Sequence, residues 1–315
     1  MRNLHATPSF IKEINTKDVV EAMEIADHNY QVNMVPLTLP NGQKVWDKKA
    51  VIRNDNGAYL GTVGKDYMPV QPVAVYEMAN TLLDATGGTI SGVLNMHGGS
   101  VFGVSLHLKR AEFLPGDPVD LEFLLLAAHN GAYGILGRAL STRFFCLNQL
   151  PTSKKLFNLK HTRYVENRMD VAMKMLSYYN KEIDQFSGHM KQLVGTKMPD
   201  KAAVGWFKSL FPVPKKDSKR ANSLLDNNVL KYNELLNKGR GVDVPGLRGT
   251  AWGALNGLTE FVNHERSTRI KNGRASDEVR FESVNFGDGN NLMQNGMTSL
   301  LKYINTTPTA PIMVK

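Results

Sequence analysis

Apolar and polar residues alternate with two different periods along this chain, and each change of period marks an element. Residues 16–29, TKDVVEAMEIADHN, set Val20, Met23 and Ala26 about one helical turn apart, with Thr16 as the expected N-cap. Three strand-like stretches follow: QVNMVPLTL, KAVIRN and AYLGTVG. Asn41-Gly42 and Asn56-Gly57 punctuate them, and such pairs suit tight hairpins because both residues tolerate positive φ. Pro72 is placed to open a second helix, PVAVYEMANTLLDA, and Gly87-Gly88 to close it through a left-handed cap.

Residues 89–148 then read as a four-stranded antiparallel meander. TISGVLNMH and SVFGVSLHLK are joined at Gly98-Gly99, and VDLEFLLLAAHN and AYGILGRALSTRFFCLN at Asn130-Gly131. After Pro151 the period becomes helical. Val165, Met169, Ala172, Leu176, Tyr179, Ile183, Phe186, Met190 and Leu193 follow one another in alternating steps of 4 and 3, a heptad seam. One long helix packed on its own chain is the simpler reading of that seam; a contact between subunits is the other. FPVPKKDSKRAN, 211–222, reads as a loop or linker, and two helical segments follow, SLLDNNVLKYNELLNK and TAWGALNGLTEFVNHERS. The expected fold is α+β: an antiparallel β-meander packed with helices, a long heptad-patterned helix and a helical C-terminal portion. The expected organisation is an α+β core over 1–195, a helical region over 196–304 and a flexible tail over 305–315.

Composition narrows the setting. Of 315 residues, 42% are hydrophobic and 21% charged, values of a globular protein. The single cysteine, Cys146, rules out an intrachain disulfide and suits a reducing, cytoplasmic compartment. MRNLHATPSF has no apolar signal core, and the longest apolar run, FLLLAA, is too short for a bilayer, so no membrane partner is expected. The net charge of +9 is unevenly spread. Residues 1–63 carry 7 cations and 7 anions, residues 64–137 carry 3 and 7, and residues 138–315 carry 28 and 15. A basic later half points to a polyanionic partner.

The catalytic signatures are sparse. There is no phosphate-binding G-x-x-x-x-G-K-[ST] loop, no H-E-x-x-H and no paired-cysteine zinc pattern. Asn256, Glu260 and His264 line up at i, i+4 and i+8, where they form either a metal site or, more commonly, a solvated stripe or an internal hydrogen-bond network. No cofactor is expected, and the pattern favours a protein without catalysis. The cations make the better case. Arg138, Arg143, Lys154, Lys155, Lys160, Arg163 and Arg168 share their stretch with one acid, Glu166. Lys197, Lys201, Lys208, Lys215, Lys216, Lys219 and Arg220 form a second cluster against two acids. Such fixed charges suit phosphates, and Phe145, Phe157 and Tyr164 are candidates to stack unpaired bases beside them. The competing reading buries the phenylalanines and pairs Arg143 with Asp120 or Glu122.

Three strings carry a resemblance: LGTVGKDYMPVQPVAVYEMANTLLDATGG, RFFCLNQL and GTAWGALNGLTEFVNHERSTR. Tyr67 with Pro69 and Gln71, then Arg143, Cys146 and Asn148, then Trp252, Asn256, Glu260, His264 and Arg269, resemble the motifs of the phage- and plasmid-encoded family known as domain of unknown function 932. The likeness runs from about residue 20 to 300. It implies a mobile-element protein of the bacterial cytoplasm. The order of helix, meander and long helix is similar, at the level of fold, to the core of single-strand annealing recombinases, which form rings and lay DNA in a basic groove. The expected function is therefore ATP-independent binding and annealing of single-stranded DNA in recombination or replication, by a homo-oligomer such as a ring. Arg138 to Arg168 would hold phosphates, and Lys215, Lys216, Lys219 and Arg220 would add a second contact. The alternative is a phage structural or host-interaction protein with a basic binding face. A third reading is an enzyme built on Asn256, Glu260 and His264.

Overall fold

The computed structural model describes residues 8–143, 148–150, 157–161, 179–213, 218–267 and 276–306. The strands are β1 Ile11–Thr16, β2 Val32–Thr38, β3 Lys44–Arg53, β4 Tyr59–Gly64, β5 Thr89–Met96, β6 Val101–Leu114, β7 Asp117–Ala128, β8 Ile135–Arg143, β9 Asn148–Leu150 and β10 Phe157–Leu159. The helices are α1 Val19–Ala26, α2 Pro72–Thr86, α3 Tyr179–Gly195, α4 Asp200–Ser209, α5 Lys219–Lys238, α6 Ala251–Glu260, α7 Ser276–Phe286 and α8 Asp288–Thr306. A π turn, Phe261–Glu265, continues α6. One sheet has the order β1-β5-β6-β7-β8-β10, with β9 also on β8, and a second has the order β2-β3-β4. The meander expected over 89–148 is present as β5 to β8, neighbours in chain order, and the fold is α+β. The short strand β1, antiparallel to β5, has no counterpart in the sequence reading.

The punctuation works as its chemistry predicts. Gly42 and Gly57 have φ of 83° and 71°, so each Asn-Gly pair turns the chain where a β-carbon would be strained. Pro72 begins α2, and Gly87 caps its end in the left-handed conformation. The cap of α1 differs from expectation. Asp18, not Thr16, accepts from the amides of Val20 and Glu21, at 2.8 and 3.3 Å. Thr16 ends β1 and takes the Asp18 amide on its hydroxyl at 3.0 Å, which sets the carboxylate over the first turn.

The chain forms two compact units, residues 1–109, 121–139 and 153–180, and residues 110–120, 140–152 and 181–315. They interleave in sequence, and most of α3 falls in the second, so the division is not the expected single cut near 195. In the first unit, α1 buries Ala22, Met23 and Ala26, and α2 buries Val75, Tyr76, Met78, Ala79, Leu82 and Leu83. The FLLLAA run of β7 is buried at every position, as a strand covered on both faces must be. The small sheet has its own cluster of Tyr30, Val32, Val51, Leu60 and Val63.

In the second unit the central element is α6, buried on nearly all sides. Trp252 donates its indole N–H to Asp117 at 2.9 Å, and Phe207 stacks on Tyr232 with centroids 4.0 Å apart. Of the heptad seam, Phe186, Met190 and Leu193 are buried within the chain, with Phe113 edge-on to Phe186 at 5.9 Å. That supports the intrachain reading for the described part; Val165 to Leu176 lie outside the described residues. Two boundaries move. α5 starts at Lys219 behind a Ser218 cap, so the end of the expected 211–222 loop is helical. α8 runs to Thr306, into the expected tail.

Candidate functional site

The structure divides the sequence-predicted contacts into three groups. Arg138 and Phe157 are interior. Arg138 is 1% exposed on β8, and burial pushes its guanidinium down to about 10. A phosphate does not reach it there, so it is not a surface contact. Phe157 pairs in register with Gly137 and lays its ring where a β-carbon would otherwise stand, 6.4 Å from the ring of Phe123. It is a core residue and not a stacking surface, because the glycine opposite leaves a hole that only a large side chain fills. Lys160, Lys219 and Arg220 are exposed. Phe145, Lys154, Lys155, Arg163, Tyr164, Arg168, Lys215 and Lys216 lie outside the described residues, and so does the side chain of Arg143. Among the described residues, Asp120 takes two bonds from Arg110, at 2.7 and 3.1 Å, and Glu122 accepts from Ser91 at 3.2 Å.

Among the described motif residues that carry the resemblance, Tyr67, Gln71, Asn256 and Glu260 make hydrogen bonds within the fold, while Arg269 and Cys146 and the side chains of Arg143 and Asn148 lie outside the described residues. Tyr67 donates to the Ala128 carbonyl at 2.9 Å. Gln71 meets the backbone of Val32 with both ends of its amide, accepting from the N–H at 2.8 Å and donating to the carbonyl at 3.1 Å. Asn256 donates to the Trp252 carbonyl at 2.8 Å, and Glu260 accepts the Arg240 amide with both oxygens, at 3.1 and 2.9 Å. Asn256 and Glu260 are 4% and 3% exposed, so the internal hydrogen-bond network is the reading that holds for them. The π turn after Glu260 breaks the i+8 register that placed His264 on the same line. Among the described residues no three His, Cys, Asp or Glu side chains are grouped to hold a metal.

Beside these residues a cleft is lined by Asp200, Arg240, Arg248, Thr250, Asn256 and Glu260. Its free volume of about 20 Å³ holds on the order of one water molecule, too little for a nucleotide. The surface offers more. Lys191, Lys197, Lys201 and Lys208 along α3 and α4, and Lys219 and Arg220 at the start of α5, are all exposed. Lys201 and Lys208 stand two turns apart and share a helix face. The first turn of α5 contains no acid, and its two cations sit at the end of the helix where the backbone dipole disfavours positive charge. An anion at that end would meet both the charges and the free amides.

Two features escaped sequence reasoning. Arg53, 4% exposed, is held by Asp27 at 2.9 Å and Asp55 at 2.7 Å and lies 4.0 Å from the ring centre of Tyr30. Asp27 and Tyr30 stand 26 and 23 residues before Arg53 and leave no local signal, although Asp55 is only two residues on. Within the same unit His28, His129 and His161 are all buried around Tyr30, Tyr67, Tyr76 and Phe102. His28 shares a hydrogen bond of 2.9 Å with Tyr76, whereas neither ring nitrogen of His129 has a hydrogen-bond partner among the described residues. Burial holds His28 and His129 down at about 3 and His161 at about 4. No helix among the described residues is long and apolar enough to cross a membrane.

Neither the curated proteins nor the solved structures contain a match to the chain. Residues 59–284, a narrower span than the motifs suggested, match the family model described as Domain of unknown function (DUF932), and the chain belongs to that family.

Proposed function

We propose that the chain binds single-stranded DNA through its phosphates and promotes annealing without ATP, as a homo-oligomer serving recombination or replication of a phage or plasmid in the bacterial cytoplasm. One observation carries the reading. Lys197, Lys201, Lys208, Lys219 and Arg220 are exposed, and none of them forms an ion pair with a carboxylate among the described residues. Charges left unneutralised on a surface favour a polyanion, because each phosphate contact releases a condensed counterion. Annealing requires strands held with their bases outward, which backbone contacts allow and base-edge contacts do not.

The experiment is an anisotropy titration of single- and double-stranded oligonucleotides at several salt concentrations, with the complementary strand added afterwards. Replacing Lys219 and Arg220 by serine is expected to weaken binding equally for all sequences. It should also lower the single-strand salt slope by about 0.7 for each cation lost. A flat salt response, or no acceleration of annealing, overturns the proposal. An oligomer without DNA affinity would point to the structural or host-interaction alternative.

A further inference from the structure

We propose that the exposed face of the β2-β3-β4 sheet stacks an unpaired base on Trp46. This names a second contact, distinct from the cations above, and rests on the reading that the chain binds single strands.

The three tryptophans differ sharply. Trp252 is fully buried, and Trp206 is partly buried with its N–H on Ser299 at 2.7 Å, whereas Trp46 is 79% exposed. A single exposed hydrophobe is ordinary. The surroundings of Trp46 are not. The β2–β3 register passes from Pro36 opposite Lys49 to Leu37 opposite Val45. Trp46, Asp47 and Lys48 therefore have no β2 partner and form a bulge. Bulges of this kind commonly re-aim a side chain beside a binding site, and Pro36, which has no N–H to offer a ladder, sits at the break.

Exposure alternates along this part of β3. Lys44, Trp46 and Lys48 are exposed and Val45, Asp47 and Lys49 are half-buried, so the indole lies between two ammonium groups on one face. Lys48 stands opposite Gly64 on β4, where no side chain exists to cover the face. The next residue, Lys65, sets its Nζ 5.2 Å from the indole centre. Tyr59, 61% exposed on β4, adds a second ring to the sheet.

Lys65 covers one face of the indole, and an exposed ring with cations beside it is the arrangement that holds unpaired bases, the ring taking the base on its other face and the ammonium groups the phosphates. Duplex DNA has no free base face to offer. A protein partner would need a broad apolar area around the indole, whereas Lys44, Lys48 and Lys65 stand close to it and Leu39 is the one other large hydrophobe exposed in the β2–β3 hairpin among the described residues.

The test titrates the full chain with a thymidine oligonucleotide of about 20 nucleotides, reading intrinsic tryptophan emission and anisotropy together. Trp46→Leu and Trp46→Tyr are run beside it, with circular dichroism to establish that both fold. Wild-type emission is expected to be quenched on binding. Trp46→Leu should lose the quenching and bind roughly five- to a hundred-fold more weakly, with its salt slope unchanged, while Trp46→Tyr keeps most of the affinity. Binding at wild-type strength by Trp46→Leu, or binding without quenching, overturns the stacking contact and leaves the phosphate reading standing. No binding by any of the three overturns both. Altered self-association in Trp46→Leu at unchanged oligonucleotide affinity overturns the proposal in favour of a protein partner for this face.

Discussion

Tyr67 lies flat on His161, the ring centroids 4.9 Å apart and the planes 17° from parallel. The stack closes one side of the imidazole, and the amide of Val70 donates to its Nδ1 at 3.3 Å on another. The ring proton of the neutral form is therefore on Nε2, and protonation would set a second N–H against that of Val70. His28 and His129 flank Phe102 at 5.3 and 5.0 Å and are equally deprived of water. Three histidines kept neutral in one core make the first unit sensitive to acid.

The sign follows from the folded values of about 3, 3 and 4, all below the ordinary 6.5. The unfolded chain takes up these protons first. Stability from this source is fully present above pH 6.5 and is lost as pH falls from there toward 3 to 4. Burial is the main cause at all three. Asp27 works against it at His28, while Arg53 and Lys12 work with it. Each histidine contributes a slope of at most about 1.4 kcal/mol per pH unit, and the three together about 4. Urea denaturation at pH 7, 6 and 5 should show that slope above the range where carboxylates titrate. His129→Phe should reduce it by about a third, and an unchanged slope in that variant would remove His129 from the explanation.

Gln71 gives a more local prediction. It occupies the N-cap of α2 but makes no capping bond, because its amide is engaged with the backbone of Val32. Gln71→Ala leaves the Val32 amide without its acceptor, at a cost of about 1–3 kcal/mol. The loss should concentrate in the small sheet. Hydrogen exchange at Val32 and its β3 neighbours should accelerate by ten-fold or more, with the amides of β6 unaffected. Acceleration spread evenly over both sheets would mean that Gln71 stabilises the whole unit and not this attachment.

Periodicity and punctuation were legible because they are local. The Asn-Gly turns, the Pro72 start and Gly87 end of α2, and the meander over 89–148 follow from backbone preferences within a few residues. Thr16 failed as a cap because two acceptors competed for the same turn and Asp18 was nearer. α4, α7 and α8 fall in the portion expected to be helical over 196–304 but were not delimited one by one, because their packing partners lie far along the chain. At the site level, Lys219 and Arg220 of the second charge run are exposed. The charge runs misplaced Arg138, since no pattern of charge distinguishes a buried arginine from a surface one. An internal hydrogen-bond network was among the readings open for the Asn256–Glu260 line, but not its partner Arg240, twenty residues away. Trp46 was not singled out, because one tryptophan between lysines on a strand does not by itself mark a binding site.

The interior position of Phe157 can be tested against Gly137. A methyl group on residue 137 would enter the space of the Phe157 ring, so Gly137→Ala alone is expected to cost about 1–3 kcal/mol by overpacking. Phe157→Ala alone removes a buried ring and should cost about 3–5 kcal/mol. The double variant relieves the clash and places the new methyl in the vacated space. Its cost should fall below the sum of the two by about 1–3 kcal/mol, a coupling measurable by denaturation of all four chains. Strict additivity would mean that the ring does not rest on Gly137.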